Sequence, residues 1–178
     1  MDTKRPSKEQ YYLNIAEEVA ERSTCFRNQG GSIIVRDDQI IATGYIGAPR
    51  KTKDCFERNQ CLRDELKIPH GKSYEICRSV HAEMNAIINA ARAGVSLLGG
   101  DMYTFIKESK TGEKKDSYPC FFCKRMIMNA GLNRVICSTN DGIKIFNVAD
   151  WAQEWREKDI VDDKYQYGAD TNKKEGFC

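Results

Sequence analysis

The stretch Arg78-Ser79-Val80-His81-Ala82-Glu83-Met84-Asn85-Ala86-Ile87 decides how this chain is read. Met84, Ile87, Ile88 and Ala91 recur at helical spacing, which predicts a helix from His81 to a stop at Gly94. A second stretch, Pro119-Cys120-Phe121-Phe122-Cys123, has the same character. Proline is suited to open a helix, Cys123, Met126, Ile127 and Ala130 share its inner face, and Gly131 closes it. Two helices therefore start on side chains that bind metal ions.

Working outward, Ser7-x-x-Gln10 has the form of a capping box ahead of Tyr12, Ile15, Ala16, Val19 and Ala20, predicting an amphipathic helix over 7–22. Residues 31–36 and 39–46 are β-rich, and Asp37-Asp38 between them suits a hairpin turn. Residues 101–106, 134–137 and 143–148 read as strands, and 149–158 as a helix that carries Trp151 and Trp155 on one face. Residues 107–117 are polar and read as a loop, and 47–79 form a long segment of charges, Gly, Pro and cysteines without sustained period. The order of elements predicts an α/β fold, a three-layer α/β/α domain with a central mixed sheet. One domain is expected over 1–162, with 47–79 as an insert and 163–178 as a polar tail.

The chain has 178 residues, enough for a hydrophobic core without covalent staples. Its formal net charge of +2, with acids and bases interspersed, argues against a surface built to grip a polynucleotide backbone. No apolar run approaches the roughly 18 residues needed to cross a membrane, and the first ten residues lack the apolar core of a secretion signal. A cytoplasmic location is the expectation. Reducing compartments keep thiols free, so the eight cysteines call for metal binding rather than disulfides.

Cys120 and Cys123 stand at i and i+3, where two sulfurs converge, and a helix N-terminus favours the thiolate that binds metal. With His81 they form a three-ligand set that leaves a fourth tetrahedral position for water, the arrangement of a catalytic zinc site. Glu83, two residues from His81, can exchange protons with that water without being a ligand. Together these residues match the H-x-E…P-C-x-x-C signature of zinc deaminases. A structural zinc closed by a fourth protein ligand is the alternative, and it would leave Glu83 idle.

Residues 21–137 resemble the deoxycytidylate deaminase group of the cytidine deaminase superfamily. The matching stretches are Arg22-Ser23-Thr24-Cys25, Ala42-Thr43-Gly44-Tyr45, Cys77-Arg78-Ser79-Val80-His81-Ala82-Glu83-Met84-Asn85-Ala86-Ile87, and Pro119-Cys120 through Asn129-Ala130-Gly131. The resemblance implies a cytidine-deaminase-like fold with zinc at the two helix starts, a homo-oligomer, and regulation by a nucleotide effector. It implies deamination of dCMP or a related cytosine nucleotide, with substrate contacts around Gly44, Tyr45, Ile46 and Ala82. Two departures bear on the substrate. Ile46 stands where the family has an asparagine that contacts the sugar, and isoleucine can neither donate nor accept a hydrogen bond. Residues 107–118 also replace a short family loop beside the expected pocket mouth.

Cys25, Cys55, Cys61 and Cys77 make a second, structural zinc site the favoured reading of the irregular segment, with His70 competing for the fourth place and free thiols as the alternative. Cys25 and Cys55 match positions where some family members carry a second zinc. Arg78 and Arg92 flank the His81 helix and are candidates for a substrate phosphate or a subunit contact; a solvated surface role is the alternative for each. The overall expectation is zinc-dependent hydrolytic deamination of a cytosine nucleotide. The same chemistry on a nucleoside, a free base or an RNA adenosine is the enzymatic alternative, and a non-catalytic zinc-stabilised interaction module is the alternative of another class.

Overall fold

The computed structural model describes residues 5–69 and 73–158. Helix α1 (Lys8–Ala20) leads into strands β1 (Asn28–Arg36) and β2 (Gln39–Tyr45). Two short helices, α2 (Cys55–Arg58) and α3 (Leu62–Glu65), and a 3-10 turn at Tyr74–Ile76 occupy the irregular segment. Helix α4 (Ala82–Ala93), strands β3 (Asp101–Glu108) and β4 (Lys114–Lys115), helix α5 (Phe121–Asn129), strands β5 (Arg134–Thr139) and β6 (Gly142–Asn147), and helix α6 (Val148–Glu157) complete the chain. His70, the tail from 163 and Cys178 lie outside the described residues.

The sheet runs β2-β1-β3-β5-β6, with β4 added to β3. β3 and β5 are parallel and joined by α5, while the other pairs are antiparallel, so the sheet is mixed as expected. β1 and β2 turn on Asp37 and Asp38, both at positive φ, which short acidic side chains tolerate in a tight hairpin. Alternate strand residues feed two cores. Ile33, Val35, Tyr103, Phe105 and Ile136 meet α1 through Tyr12, Leu13, Ala16 and Ala20. Ile34, Met102, Val135 and Cys137 meet Ala86, Ala90, Ile127 and Trp151 from α4, α5 and α6 on the other face. Three layers result, as the element order predicts. No helix among the described residues is long and apolar enough to cross a membrane.

Close packing sets the helix positions, and it corrects several expectations. The buried face of α4 is Ala82, Ala86 and Ala90, while Ile88 is exposed. Gly44 explains this, since a Cβ there would lie 2.2 Å from the Ala86 backbone nitrogen. Backbones that approach so closely admit only small side chains between them. On α5 the buried set is Cys123, Lys124 and Ile127. The Lys124 ammonium lies 5.0 Å from the Trp151 ring, which lets a charged residue face inward. Ser7 caps α1 by accepting from the Gln10 N–H, but the Gln10 side chain donates to Asn14 instead of closing the box. The polar stretch after residue 106 is a hairpin rather than a loop: β3 continues to Glu108 and β4 returns against it.

Candidate metal and proton-transfer site

Helices α4 and α5 present their N-termini side by side on the face of the sheet opposite α1. His81 and Cys120 occupy the two N-cap positions and form no side-chain cap. Residues that would ordinarily satisfy first-turn N–H groups are thus given over to donor atoms, and the positive helix ends favour negative charge. Proline sits just before Cys120 rather than inside the helix. His81 is placed by the antiparallel bridge of Val80 with Gly47, whose N–H and carbonyl groups exchange hydrogen bonds at 2.9 and 3.3 Å. Asn85 and Asn89 then fasten α4 to the outer edge of β2, donating to the Tyr45 and Thr43 carbonyls at 2.8 and 2.7 Å.

Cys120 is held from the other side. Ser117 is buried; its N–H donates to the Ser138 carbonyl at 3.0 Å, and its hydroxyl lies 2.7 Å from the Thr104 carbonyl and 3.0 Å from that of Ser138. Thr104 Oγ1 donates back to the Ser117 carbonyl. The segment leading into α5 is therefore tied to both β3 and β5. The hairpin before it reaches the other way, with the Ser109 hydroxyl donating to the Cys25 carbonyl at 2.7 Å and its N–H to that of Arg27.

The result is a cluster of donors. His81 Nδ1 lies 3.4 Å from each sulfur of Cys120 and Cys123, and the sulfurs are 3.7 Å apart. Zinc with tetrahedral angles and its usual bond lengths separates two sulfurs by about 3.8 Å, and a nitrogen from a sulfur by about 3.5 Å. The three residues fit zinc without rearrangement, and among the described residues they are the one such group. Charge is arranged to match. Cys120 is held well below the usual thiol range by the Cys123 thiol, against burial, with His81 adding to the effect. Burial opposes the charged form of His81, but Cys120 and Glu83 outweigh it and raise His81 to about 9. Burial pushes the Glu83 carboxyl pKa up, against the pull of His81. Such a carboxyl can both hold and release a proton beside the donors.

Other sequence-predicted residues are more dispersed. Gly44 is the seat of α4, Ala82 is buried in its first turn, and Tyr45 is exposed. Ile46 joins the β1 and Thr24 backbones by two hydrogen bonds of 3.0 Å. Its side chain lies over Gly30, where a Cβ would meet it at 2.7 Å. Arg78 donates to the backbone and side-chain oxygens of Gln60. Arg92 is exposed in the last turn of α4. Cys137 is a core thiol that burial pushes up to about 12. Trp151 and Trp155 pack on Phe146 and Phe121.

Cys55 is buried, and Cys25, Cys61 and Cys77 are half-buried. Burial raises Cys25 and Cys55; Cys77 and Cys61 add to both shifts, and Cys25 to that of Cys55. Cys55 opens α2 and Cys61 is the N-cap of α3. Sequence reasoning missed two residues beside the donor cluster. The Tyr74 ring stands perpendicular to the His81 ring with centroids 5.0 Å apart, and the Arg63 guanidinium lies 4.8 Å from the Tyr74 ring centre. Both come from the aperiodic segment, and no spacing could have marked them.

Residues 6–139 match the model of the cytidine and deoxycytidylate deaminase zinc-binding region. A deoxycytidylate deaminase of Schizosaccharomyces pombe is 32% identical over 136 residues, which cover 76% of this chain and 38% of that one. The chain thus spans well under half the length of that relative. A deoxycytidylate deaminase of Mycobacterium phage D29 is 32% identical over 136 residues, covering 74% of this chain and 94% of that one. Among solved structures, the dCMP deaminase of cyanophage S-TIM5 in apo form superposes with a TM-score of 0.53 at 25% identity, over 74% of this chain and 82% of the other. This protein belongs to the family defined by the cytidine and deoxycytidylate deaminase zinc-binding region.

Proposed function

We propose that the protein is a zinc-dependent hydrolase that deaminates a cytosine nucleotide, dCMP to dUMP with release of ammonia. The observation that carries this reading is the tetrahedral spacing of His81, Cys120 and Cys123 with Glu83 in the first turn of the helix that His81 caps. The relatives named deoxycytidylate deaminase support the choice of substrate. His81, Cys120 and Cys123 hold the ion, and zinc, when bound, supplies a water that loses its proton near neutral pH. Glu83 would take that proton and pass it to the ring nitrogen, then take the remaining proton from the added hydroxyl and pass it to the departing amino group. Its raised pKa suits both directions of transfer. Water oxygen replaces the amino nitrogen at C4, and ammonia leaves.

Gly44, Tyr45, Ile46 and Ala82 are the candidates for substrate contacts that the family resemblance supplies. Ile46 offers the sugar no hydrogen bond, which favours a free base, a substrate without a sugar, as the second reading. Arg92 stands roughly 16 Å along α4 from His81. That distance suits a neighbouring protomer of a homo-oligomer or a nucleotide effector better than its own site. Arg78, committed to Gln60, holds the irregular segment in place. Cys25, Cys55, Cys61 and Cys77, of which no three present their sulfurs within 4.8 Å of one another, would draw together around a second, structural zinc, with residues 1–162 as one deaminase domain; thiolate ligands suit a reducing, cytoplasmic setting. The test is a substrate panel of dCMP, CMP, deoxycytidine, cytosine and guanine, followed by ammonia release. The highest kcat/KM is expected for dCMP, and activity confined to nucleosides or bases contradicts the nucleotide reading.

A further inference from the structure

Metal-binding histidines ordinarily donate their second ring N–H to a carboxylate, carbonyl or water, which fixes the ring. Among the described residues His81 has no such protein partner; the polar contacts of its ring are those of Nδ1 with the two sulfurs. What meets the ring instead is Tyr74, at 90° and 5.0 Å between centroids, in an edge-to-face contact. Tyr74 is itself held. Arg63, 5% exposed, covers the Tyr74 ring with its guanidinium and donates to the Pro69 carbonyl at 2.9 Å. An arginine withdrawn from water is costly unless its contacts replace solvent, so its burial over one particular ring is a specified feature. Both residues belong to the segment bounded by Cys61 and Cys77, with Arg63 in α3 and Tyr74 in the 3-10 turn.

We propose that Tyr74, backed by Arg63, is the positioning residue that sets the ring orientation of His81. The inference rests on the reading of His81 as a metal ligand, and assigns the irregular segment a task at the catalytic centre beyond closing the chain. Rotation about the imidazole axis carries Nδ1 off the line to the ion, so a loosened ring weakens the metal and misplaces the water it holds.

The test uses the full chain loaded with zinc, and separately with cobalt(II), whose visible absorption reports ligand geometry. In Tyr74→Ala, zinc affinity is expected to fall about 10- to 100-fold, the cobalt bands to shift, and kcat to fall with little change in KM. Tyr74→Phe keeps the ring and is expected to restore all three. Arg63→Met, which keeps much of the side-chain volume, should give a smaller shift in the same direction, and it serves if Tyr74→Ala fails to fold. Unchanged zinc affinity and cobalt bands in folded Tyr74→Ala and Arg63→Met would overturn the proposal, as would failure of Tyr74→Phe to restore them. Neither metal readout needs a substrate. Shifted bands in a protein that deaminates nothing would therefore support the positioning role while refuting the proposed activity.

Discussion

The two cysteine-bearing regions are built on opposite principles. His81, Cys120 and Cys123 stand on α4 and α5, helices seated on a sheet by a buried core and by hydrogen bonds to its strands, and their donor atoms sit at metal-binding distances without an ion. Cys55, Cys61 and Cys77 lie among helices of four residues with few buried apolar side chains. Such a segment draws its order from specific polar ties: Arg27 with Asp64, Arg78 with Gln60, and the Asp54–Glu57 capping box. On the proposed reading the first region orders a metal, and the second is ordered by one. Arg63 and Tyr74 connect them, because they come from the second region and reach the first.

Breaking the ordered side has the largest expected effect. Cys123→Ser should remove zinc from the first site and lower turnover by about 10³-fold or more, since an activated water and charge stabilisation are worth several kcal/mol. Metal analysis and steady-state rates check this, and a fold that stays intact by circular dichroism would confirm that packing, not the ion, builds this half. Cys55→Ser probes the other side. Zinc should drop from two ions per chain to one, proteolysis should open within 47–79, and activity should fall by roughly 10- to 100-fold as the Tyr74 contact loosens. Equal zinc content in the variant and the parent would remove the second site.

Packing of the ordered half is tested by Gly44→Ala. The new Cβ meets α4 backbone atoms closer than real side chains approach, so urea unfolding should show a loss of about 3 kcal/mol. The smallest effect is expected at Asp64, whose partly exposed ion pair with Arg27 ties α3 to the start of β1. Asp64→Asn should cost under about 1 kcal/mol. The hydrogen bond from Arg27 holds the Asp64 carboxyl below its usual value, against burial. A depressed folded-state pKa contributes stability that is present above about pH 3.8 and lost as pH falls through the folded value. Amide exchange in α3 should rise in that acid window, ahead of exchange in β1 and β3.

The same contrast separates what the sequence makes legible from what it hides. The donor set is legible because its spacing is local: His81 and Glu83 share one turn, and Cys120 and Cys123 another. The three layers follow from the succession of periodic segments. Periodicity finds Met84 and Ile87, which pack at the margin of the core, but adds the exposed Ile88 and Ala91 because it weighs bulk, whereas the seat opposite Gly44 selects Ala82, Ala86 and Ala90 for smallness. Lys124 escapes such a reading because a polar residue counts against burial unless its aromatic partner, Trp151, is known to lie opposite. Residues 107–117 read as a loop because charge hides a two-stranded pairing held by backbone hydrogen bonds. Arg63 and Tyr74 leave no pattern, since only tertiary folding of an aperiodic segment brings them to His81.

The proposed chemistry depends on the ion and Glu83 acting together, the ion on water and Glu83 on its proton. Glu83→Gln separates them in one preparation, because glutamine keeps the size of the side chain and cannot accept and return the proton. The expected result is a folded protein that retains zinc at His81, Cys120 and Cys123, binds dCMP, and converts it at least about 10²-fold more slowly than the parent. Turnover of dCMP at the parental rate with zinc fully bound would contradict that joint action.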